Sequence, residues 1–91
     1  MDAYLMCSAD KGQFPDEFSV KGNTASGEMF SLFAPKEFVK PNASGEAGSA
    51  RVRVSVLESD DQRALVRLPA QTLENGATVI VSKNQLDPED A

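Results

Sequence analysis

The sequence predicts a small all-β domain, an antiparallel barrel or roll of about five to six strands built from two hairpins. Three observations predict this class. Glycine or proline interrupts almost every helical window before residue 50, and the uninterrupted stretch that follows begins with period-2 alternation. The chain has 91 residues, of which 41% are hydrophobic and 25% are charged, and this suffices for one core but not for two.

The clearer hairpin covers residues 51–68. Three valines in alternate positions share one face of its first strand, while the residues between them are arginine and serine. Residues 58–62 follow with aspartate and serine side chains, which hydrogen-bond their own backbone in turns. A turn centred on Asp60 then makes every inward pair apolar. The expected pairs are Val56–Ala64, Val54–Val66 and Val52–Leu68.

The first half of the chain contains a second hairpin, with strands over residues 18–22 and 28–34 joined by a turn centred on Ala25. This register also places apolar residues opposite one another. The expected pairs are Val20–Phe30 and Phe18–Leu32. A first strand over residues 4–8 and a last strand over residues 77–82 complete the expected set.

These strands form one domain over residues 1–86, whose sheet must curl to cover its apolar face. Residues 40–50 contain proline and glycine, with only alanine as an apolar residue, and are expected to form a mobile loop. Residues 87–91 are expected to be a disordered acidic tail. The expected core residues are Val52, Val54, Val56, Val66, Leu68, Phe18, Val20, Phe30 and Leu32.

Reactive and metal-binding side chains are scarce in this chain. Cys7 is the only cysteine and there is no histidine, so the usual zinc, haem and Ser-His chemistries lack their ligand or base. Cys7 lies in an apolar run and is expected to belong to the core. No phosphate loop, nucleophile elbow or Cys-x-x-Cys pair occurs. The sequence therefore predicts a non-enzymatic protein with no catalytic residue, no metal site and no cofactor.

All the arginines of the chain lie in the hairpin over residues 51–68, and in the expected register they project from its outward face. They are Arg51, Arg53, Arg63 and Arg67. Arg53 is expected to face Arg67, although like charges in such cross-strand pairs are destabilising. Two interpretations follow: the arginines pair with nearby carboxylates, or they bind an anionic ligand or an acidic partner surface. The carboxylates close in sequence are Glu58, Asp60, Asp61 and Glu74.

Apolar side chains share these outward faces, with Met29 and Phe33 on the first hairpin and Leu57 and Leu65 on the second. Either the curvature of the barrel and the loop 40–50 cover them, or they form a contact patch for another chain. Together with the arginines, these residues make up the candidate interaction surface.

The end of the chain offers one similarity at the level of the fold. Residues 64–69, 73–76 and 78–81 resemble the closing strands of small SH3-like barrels, and the domain has SH3-like or OB-like size. The aromatic ligand platform of SH3 domains is missing, since the chain has no tryptophan and one tyrosine. The similarity therefore carries no function.

Two functions from different classes fit these features. The first is a small β-barrel interaction module that binds a protein partner or self-associates. The alternative is an anion or nucleic-acid binder that uses the arginines of residues 51–68. A net charge of -5 makes nucleic acid the less expected partner. The N-terminus lacks the pattern of a secretory signal and no apolar run is long enough to span a bilayer, so we expect a soluble, cytoplasmic protein without membrane contact.

Overall fold

A computed structural model describes residues 2–12, 14–41, 49–74 and 76–88. It confirms the all-β class, because the elements formed by these residues are antiparallel strands and two 3-10 turns. The strands are β1 (Asp2–Lys11), β2 (Glu17–Asn23), β3 (Met29–Pro35), β4 (Val39–Pro41), β5 (Ser49–Ser59), β6 (Arg63–Arg67), β7 (Thr78–Ser82) and β8 (Leu86–Pro88). The 3-10 turns are Lys36–Phe38 and Lys83–Gln85.

Six of the strands form a continuous antiparallel sheet in the order β3-β2-β1-β5-β6-β7, which curves into a half-barrel. The short strands β4 and β8 lie off this path, where β4 pairs with β5 and β8 pairs with β1. The two long strands β1 and β5 therefore pair with each other along one edge and with two partners each along the other. They form the centre of the sheet.

The first hairpin consists of β2 and β3, and its register differs from the predicted one by two residues. The observed pairs are Val20–Leu32, Phe18–Ala34 and Gly22–Phe30, in place of Val20–Phe30 and Phe18–Leu32. The turn explains the difference: the N–H of Gly27 donates to the carbonyl of Thr24 at 3.0 Å, and Gly27 has a φ of 90°. A three-residue loop that ends in a left-handed glycine moves the centre of the hairpin to Ser26. Because the shift is even, the apolar face is preserved.

The second hairpin consists of β5 and β6, and its register also differs from the prediction. Asp60 does organise the turn, since its Oδ1 accepts the N–H groups of Gln62 at 2.8 Å and Arg63 at 2.7 Å. However, the N–H of Asp60 donates to the carbonyl of Arg63, so the turn lies further along the chain, and a bulge at Leu57 shifts the pairing again. The observed pairs are Ser55–Arg67, Val56–Val66, Glu58–Leu65 and Ser59–Ala64, in place of Val56–Ala64, Val54–Val66 and Val52–Leu68.

The inner side of the half-barrel carries the core. Val56 and Phe18 are partly buried, and the other predicted core residues are buried. Leu5 on β1 is fully buried among them. A methyl group on Gly22 would lie 2.6 Å from Cζ of Phe30, so this position requires glycine to let the aromatic ring cover the strand.

Hydrogen bonds join the two edges of the curved sheet, the β3 side and the β7 side, at two places. At the first place the turn between β2 and β3 contacts β7, where the N–H of Ala25 donates to the carbonyl of Ile80 at 2.8 Å. At the second place the segment between β6 and β7 contacts β3, where the N–H of Leu73 donates to the carbonyl of Ser31 at 2.8 Å. The Glu74 carboxylate accepts the N–H of Ser31 at 2.8 Å and its hydroxyl at 3.0 Å, and these bonds lower the pKa of Glu74. The bonds satisfy edge groups of both terminal strands.

Two predicted boundaries need correction. The loop expected over residues 40–50 is shorter, because its first two residues belong to β4 and its last two to β5; residues 42–48 lie outside the described residues. The tail expected over residues 87–91 forms part of β8 as far as residue 88, because this segment pairs with β1. Residues 89–91 also lie outside the described residues.

Candidate interaction surfaces

The structure distributes the candidate residues over separate parts of the outer face. Arg51 and Arg53 lie on the first half of β5, Leu57, Arg63, Leu65 and Arg67 lie on the second half of β5 and on β6, and Met29 and Phe33 lie on β3. The predicted pair of Arg53 and Arg67 does not form, because the observed register places Arg67 opposite Ser55 and Arg53 opposite Tyr4. The four arginines therefore do not form one group, although Arg53 and Arg67 line a common concavity.

Tyr4 lies at the centre of the outer face formed by β1, β5 and β8. It is not part of the core cluster, yet only 7% of its surface is exposed. Nζ of Lys40 lies 4.9 Å and Cζ of Arg51 lies 5.5 Å from the centroid of its ring. Both distances fit cation-π contacts, and long cationic side chains cover apolar surface with their stems. The Tyr4 cluster, as we name it, comprises Tyr4, Lys40, Arg51, Arg53, Asp2 and Asp87.

Ion pairs hold the arginines of the Tyr4 cluster. Nη2 of Arg53 lies 2.8 Å from Oδ2 of Asp2, and the hydroxyl of Ser55 donates to Oδ1 of the same carboxylate at 3.3 Å. Nη1 of Arg51 lies 3.9 Å from Oδ2 of Asp87. The hydrogen bond from Arg53 lowers the pKa of Asp2 below its ordinary value of 3.8. Both arginines therefore contact carboxylates of their own chain.

Two of the carboxylates predicted as arginine partners are engaged elsewhere. Asp60 accepts the backbone N–H groups of its turn, which lowers its pKa, and Glu74 binds Ser31 on β3. Among the residues that the structure describes, neither Arg63 nor Arg67 forms an ion pair. The prediction that the partners would be Glu58, Asp60, Asp61 and Glu74 is therefore wrong for the arginines of the Tyr4 cluster.

A second surface lies on the outer face of β6 and β7. Leu65 on β6 lies directly opposite Ile80 on β7, and Glu58 on β5 lies on the other side of Leu65. The neighbours of Leu65 along β6 are buried in the core, so Leu65 points outward and is partly exposed. Ile80 is 50% exposed. The Leu65–Ile80 patch, as we name it, comprises Leu65, Ile80 and Arg63.

Shallow concavities flank the Leu65–Ile80 patch on two sides. The patch residues line both concavities. One is completed by Glu58, Ser59, Asp60 and Ala64. The other is completed by Thr24, Ala25, Ser26, Glu28, Thr78 and Val79. The second concavity thus lies between β7 and the turn that is hydrogen-bonded to it.

The remaining apolar candidates lie apart from this patch or at its border. Leu57 is 43% exposed at the bulge, next to Glu58. Met29 is 63% exposed and Phe33 is partly exposed on β3, at the opposite end of the strand order from β7. Between them lies Ser31, which binds the loop that follows β6. Neither Met29 nor Phe33 lines the concavities beside the Leu65–Ile80 patch, although Glu28, the chain neighbour of Met29, lines one of them.

Sequence reasoning missed two residues that define these surfaces. In β7 the alternation of side chains places Val81 in the core, so Thr78 and Ile80 point outward. The sequence of this strand already contained that signal. Tyr4 carried no such signal, because its cover comes from residues distant in sequence, Lys40 and Arg51.

The thiol of Cys7 belongs to neither surface. Cys7 packs against the core, and burial raises the pKa of its thiol to about 12, so it stays protonated at neutral pH. Within the described residues, no group of three or more His, Cys, Asp or Glu is placed to hold a metal ion. No helix in this part of the chain has the length and apolar character needed to cross a membrane.

Comparisons with protein-family models, with curated proteins and with solved structures gave no match for this chain. A functional interpretation therefore depends on the chemistry of the two outer surfaces.

Proposed function

We propose that this chain is a small non-enzymatic interaction module that binds another protein through the Leu65–Ile80 patch. The observation that carries the proposal is the half-exposed Ile80 directly opposite Leu65 on the outer face of the sheet. Single exposed apolar residues are common on protein surfaces, whereas adjacent ones beside concavities are typical of contact surfaces. Arg63 fits this role, because arginine is enriched at protein interfaces.

The Tyr4 cluster supports this choice by contrast. Its aromatic side chain faces outward, but cations from β4 and β5 cover it and its arginines bind carboxylates of β1 and β8. The outer faces of β6 and β7 have no such cover among the described residues, since Ile80 keeps half of its surface exposed. The uncovered apolar surface is therefore the better binding site.

Anion binding through the arginines has less support. Arg53 and Arg67 line a common concavity with Phe38 and Pro69, which is where an anion would bind. Asp2 lies in the same concavity and already binds Arg53 at 2.8 Å. An incoming anion would therefore compete with the carboxylate of Asp2 for Arg53.

The proposal is tested with the double variant Leu65→Thr/Ile80→Thr, which keeps residues of high strand propensity and removes the apolar surface. The matched control is Met6→Thr, which changes an apolar residue of similar exposure, 45% against 50% for Ile80, on the outer face of β1. Proteins captured from native cell extract by each form are compared by quantitative mass spectrometry, and the purified partner is titrated calorimetrically. We expect the control to bind like the unmodified chain and the double variant to bind about tenfold or more weakly.

A partner that binds the double variant as tightly as the unmodified chain would contradict the proposal. Thermal melts of all three forms show whether each is folded, so loss of binding is not confused with unfolding.

A further inference from the structure

We infer that the partner of the Leu65–Ile80 patch is a basic segment of another protein, which places an apolar side chain beside Ile80 and lysine or arginine beside the flanking carboxylates. The inference rests on the proposed function and adds the chemistry of the partner. It follows from the charges around the patch, from the fixed wall of one concavity and from the blocked edge of β7.

Carboxylates lie on both sides of the apolar residues. Glu58 and Asp60 line one concavity and Glu28 lines the other, while Arg63 is the cation that lines both among the described residues. Glu58 is also the cross-strand neighbour of Leu65, so a carboxylate adjoins the apolar surface directly. The lining residues thus carry an excess of negative charge.

The residues just outside this lining reduce the excess of negative charge without cancelling it, since Arg67, opposite Thr78, adds one positive charge. Lys83 lies close enough to Asp60 to favour its charged form, and Asp61 in the same turn has the opposite charge. A partner surface with positive charge around an apolar side chain would therefore be complementary to the whole region.

The wall that carries Glu28 is formed before any partner binds. The N–H of Glu28 donates to Oγ1 of Thr24 at 3.2 Å, and the hydroxyls of Thr24 and Ser26 lie 3.0 Å apart. The N–H of Ala25 then fixes the turn to the carbonyl of Ile80 at 2.8 Å. A preformed concavity lowers the ordering cost of binding an inserted side chain.

The edge of β7 does not offer a free row of backbone groups for an added strand. The carbonyl of Ile80 accepts from Ala25, and the N–H of Ser82 donates to Oε1 of Gln85 at 2.9 Å. Addition of a strand would have to break both bonds, so recognition proceeds through side chains on the outer face.

The test uses a library of random-sequence peptides displayed on phage. The library is selected on the unmodified chain and depleted on the folded Leu65→Thr/Ile80→Thr variant, so that only peptides that need the patch remain. We expect the remaining peptides to contain an apolar residue flanked by lysine or arginine. Sedimentation velocity of the chain alone, over a range of concentrations, reports whether a second copy occupies the patch.

A second arm measures the charge contribution directly. A selected peptide is titrated against Glu28→Gln/Glu58→Gln and against the control Glu37→Gln, which changes an exposed glutamate of the 3-10 turn Lys36–Phe38. We expect binding about three- to tenfold weaker for the double variant only, and a smaller difference in ~0.5 M salt.

The outcomes separate the two proposals. Patch-dependent peptides that are acidic or uncharged, or that bind the Glu28→Gln/Glu58→Gln variant unchanged, overturn the basic partner and leave the interaction module standing. Self-association that disappears in Leu65→Thr/Ile80→Thr also overturns it, in favour of a second copy of the chain. If no peptide and no captured protein depends on the patch, both proposals are wrong.

Discussion

The outer face of this sheet carries two surfaces that are built from the same kinds of residue and differ in how they are completed. In the Tyr4 cluster, arginines and a lysine surround an apolar ring and leave it 7% exposed. In the Leu65–Ile80 patch, an arginine also stands beside apolar side chains, yet Ile80 remains 50% exposed.

Strand pairing explains this difference. The first half of β5 lies between β1 and β4, and β8 on the far side of β1 places Asp87 within reach of Arg51. The second half pairs with β6, whose other neighbour β7 presents Thr78, Ile80 and Ser82 on the outer face. One alternating arginine pattern therefore stabilises the fold in one half of the hairpin and leaves exposed surface in the other.

The largest expected effect separates the two apolar residues at the centres of these surfaces. Tyr4→Ala removes a covered ring and should lower the free energy of unfolding by about 3 kcal/mol. Ile80→Thr should change it by less than about 0.5 kcal/mol, because the side chain is half exposed and threonine suits a strand. Chemical denaturation monitored by circular dichroism measures both. Equal losses of stability would contradict the conclusion that Tyr4 stabilises the fold and that Ile80 belongs to an exposed surface.

The arginines should show a smaller contrast. Arg53→Thr breaks the ion pair with Asp2 and should lower the melting temperature by about 2 °C at low salt, with a smaller change in ~1 M salt. Arg67→Thr should leave the melting temperature unchanged, since Arg67 forms no ion pair among the described residues. The matched melts are recorded by differential scanning calorimetry. A salt-sensitive loss in Arg67→Thr would show that this arginine is also structural.

The smallest expected effect concerns the pH dependence of stability. The pKa of Asp2 is lowered chiefly by the Arg53 side chain, and that of Asp60 chiefly by backbone N–H groups. Because each folded pKa lies below the ordinary value of 3.8, each charged carboxylate stabilises the fold above that pH. The stabilisation is lost as the pH falls through the folded pKa.

Asp2→Asn and Asp60→Asn should therefore each reduce the loss of stability on acidification below about pH 4. High salt should reduce the effect of Asp2→Asn, since it reports an exposed ion pair, and should spare that of Asp60→Asn. Urea denaturation at several pH values and two salt concentrations measures this. Equal salt sensitivity of the two variants would contradict the assignment of causes.

The sequence pattern predicted the six strands of the continuous sheet, most clearly β5, where a valine every second residue has one consistent interpretation, but it did not predict the short strands β4 and β8. The registers were predicted less well, since Gly27 and the turn after Asp60 set the hairpin centres through backbone geometry, which an apolar pairing pattern does not contain. The bulge at Leu57 is likewise invisible to a rule that assumes strict period 2. A shift by two residues keeps the apolar face, so the predicted core of the first hairpin survived a wrong register.

The candidate surface was predicted as one region because all its arginines lie in one hairpin. The division of this surface depends on β1. Tyr4 lies opposite Arg53, and Asp2, which forms the ion pair with Arg53, is 51 positions away from it in the sequence. No local pattern indicates which strand will lie beside which, so a partner from the other end of the chain was beyond sequence reasoning.

The pairing of β8 with β1 also has a consequence for how the protein is made. Leu86 lies opposite Leu5, and Ala3 lies opposite residue 88, so the edge of β1 is completed by a strand that is synthesised long after it. Contacts that join such distant residues require closure of long loops, and this slows folding relative to local pairing. The two hairpins form from neighbouring segments, whereas the strand that lies between them, β1, acquires its final partner only once β8 has been synthesised.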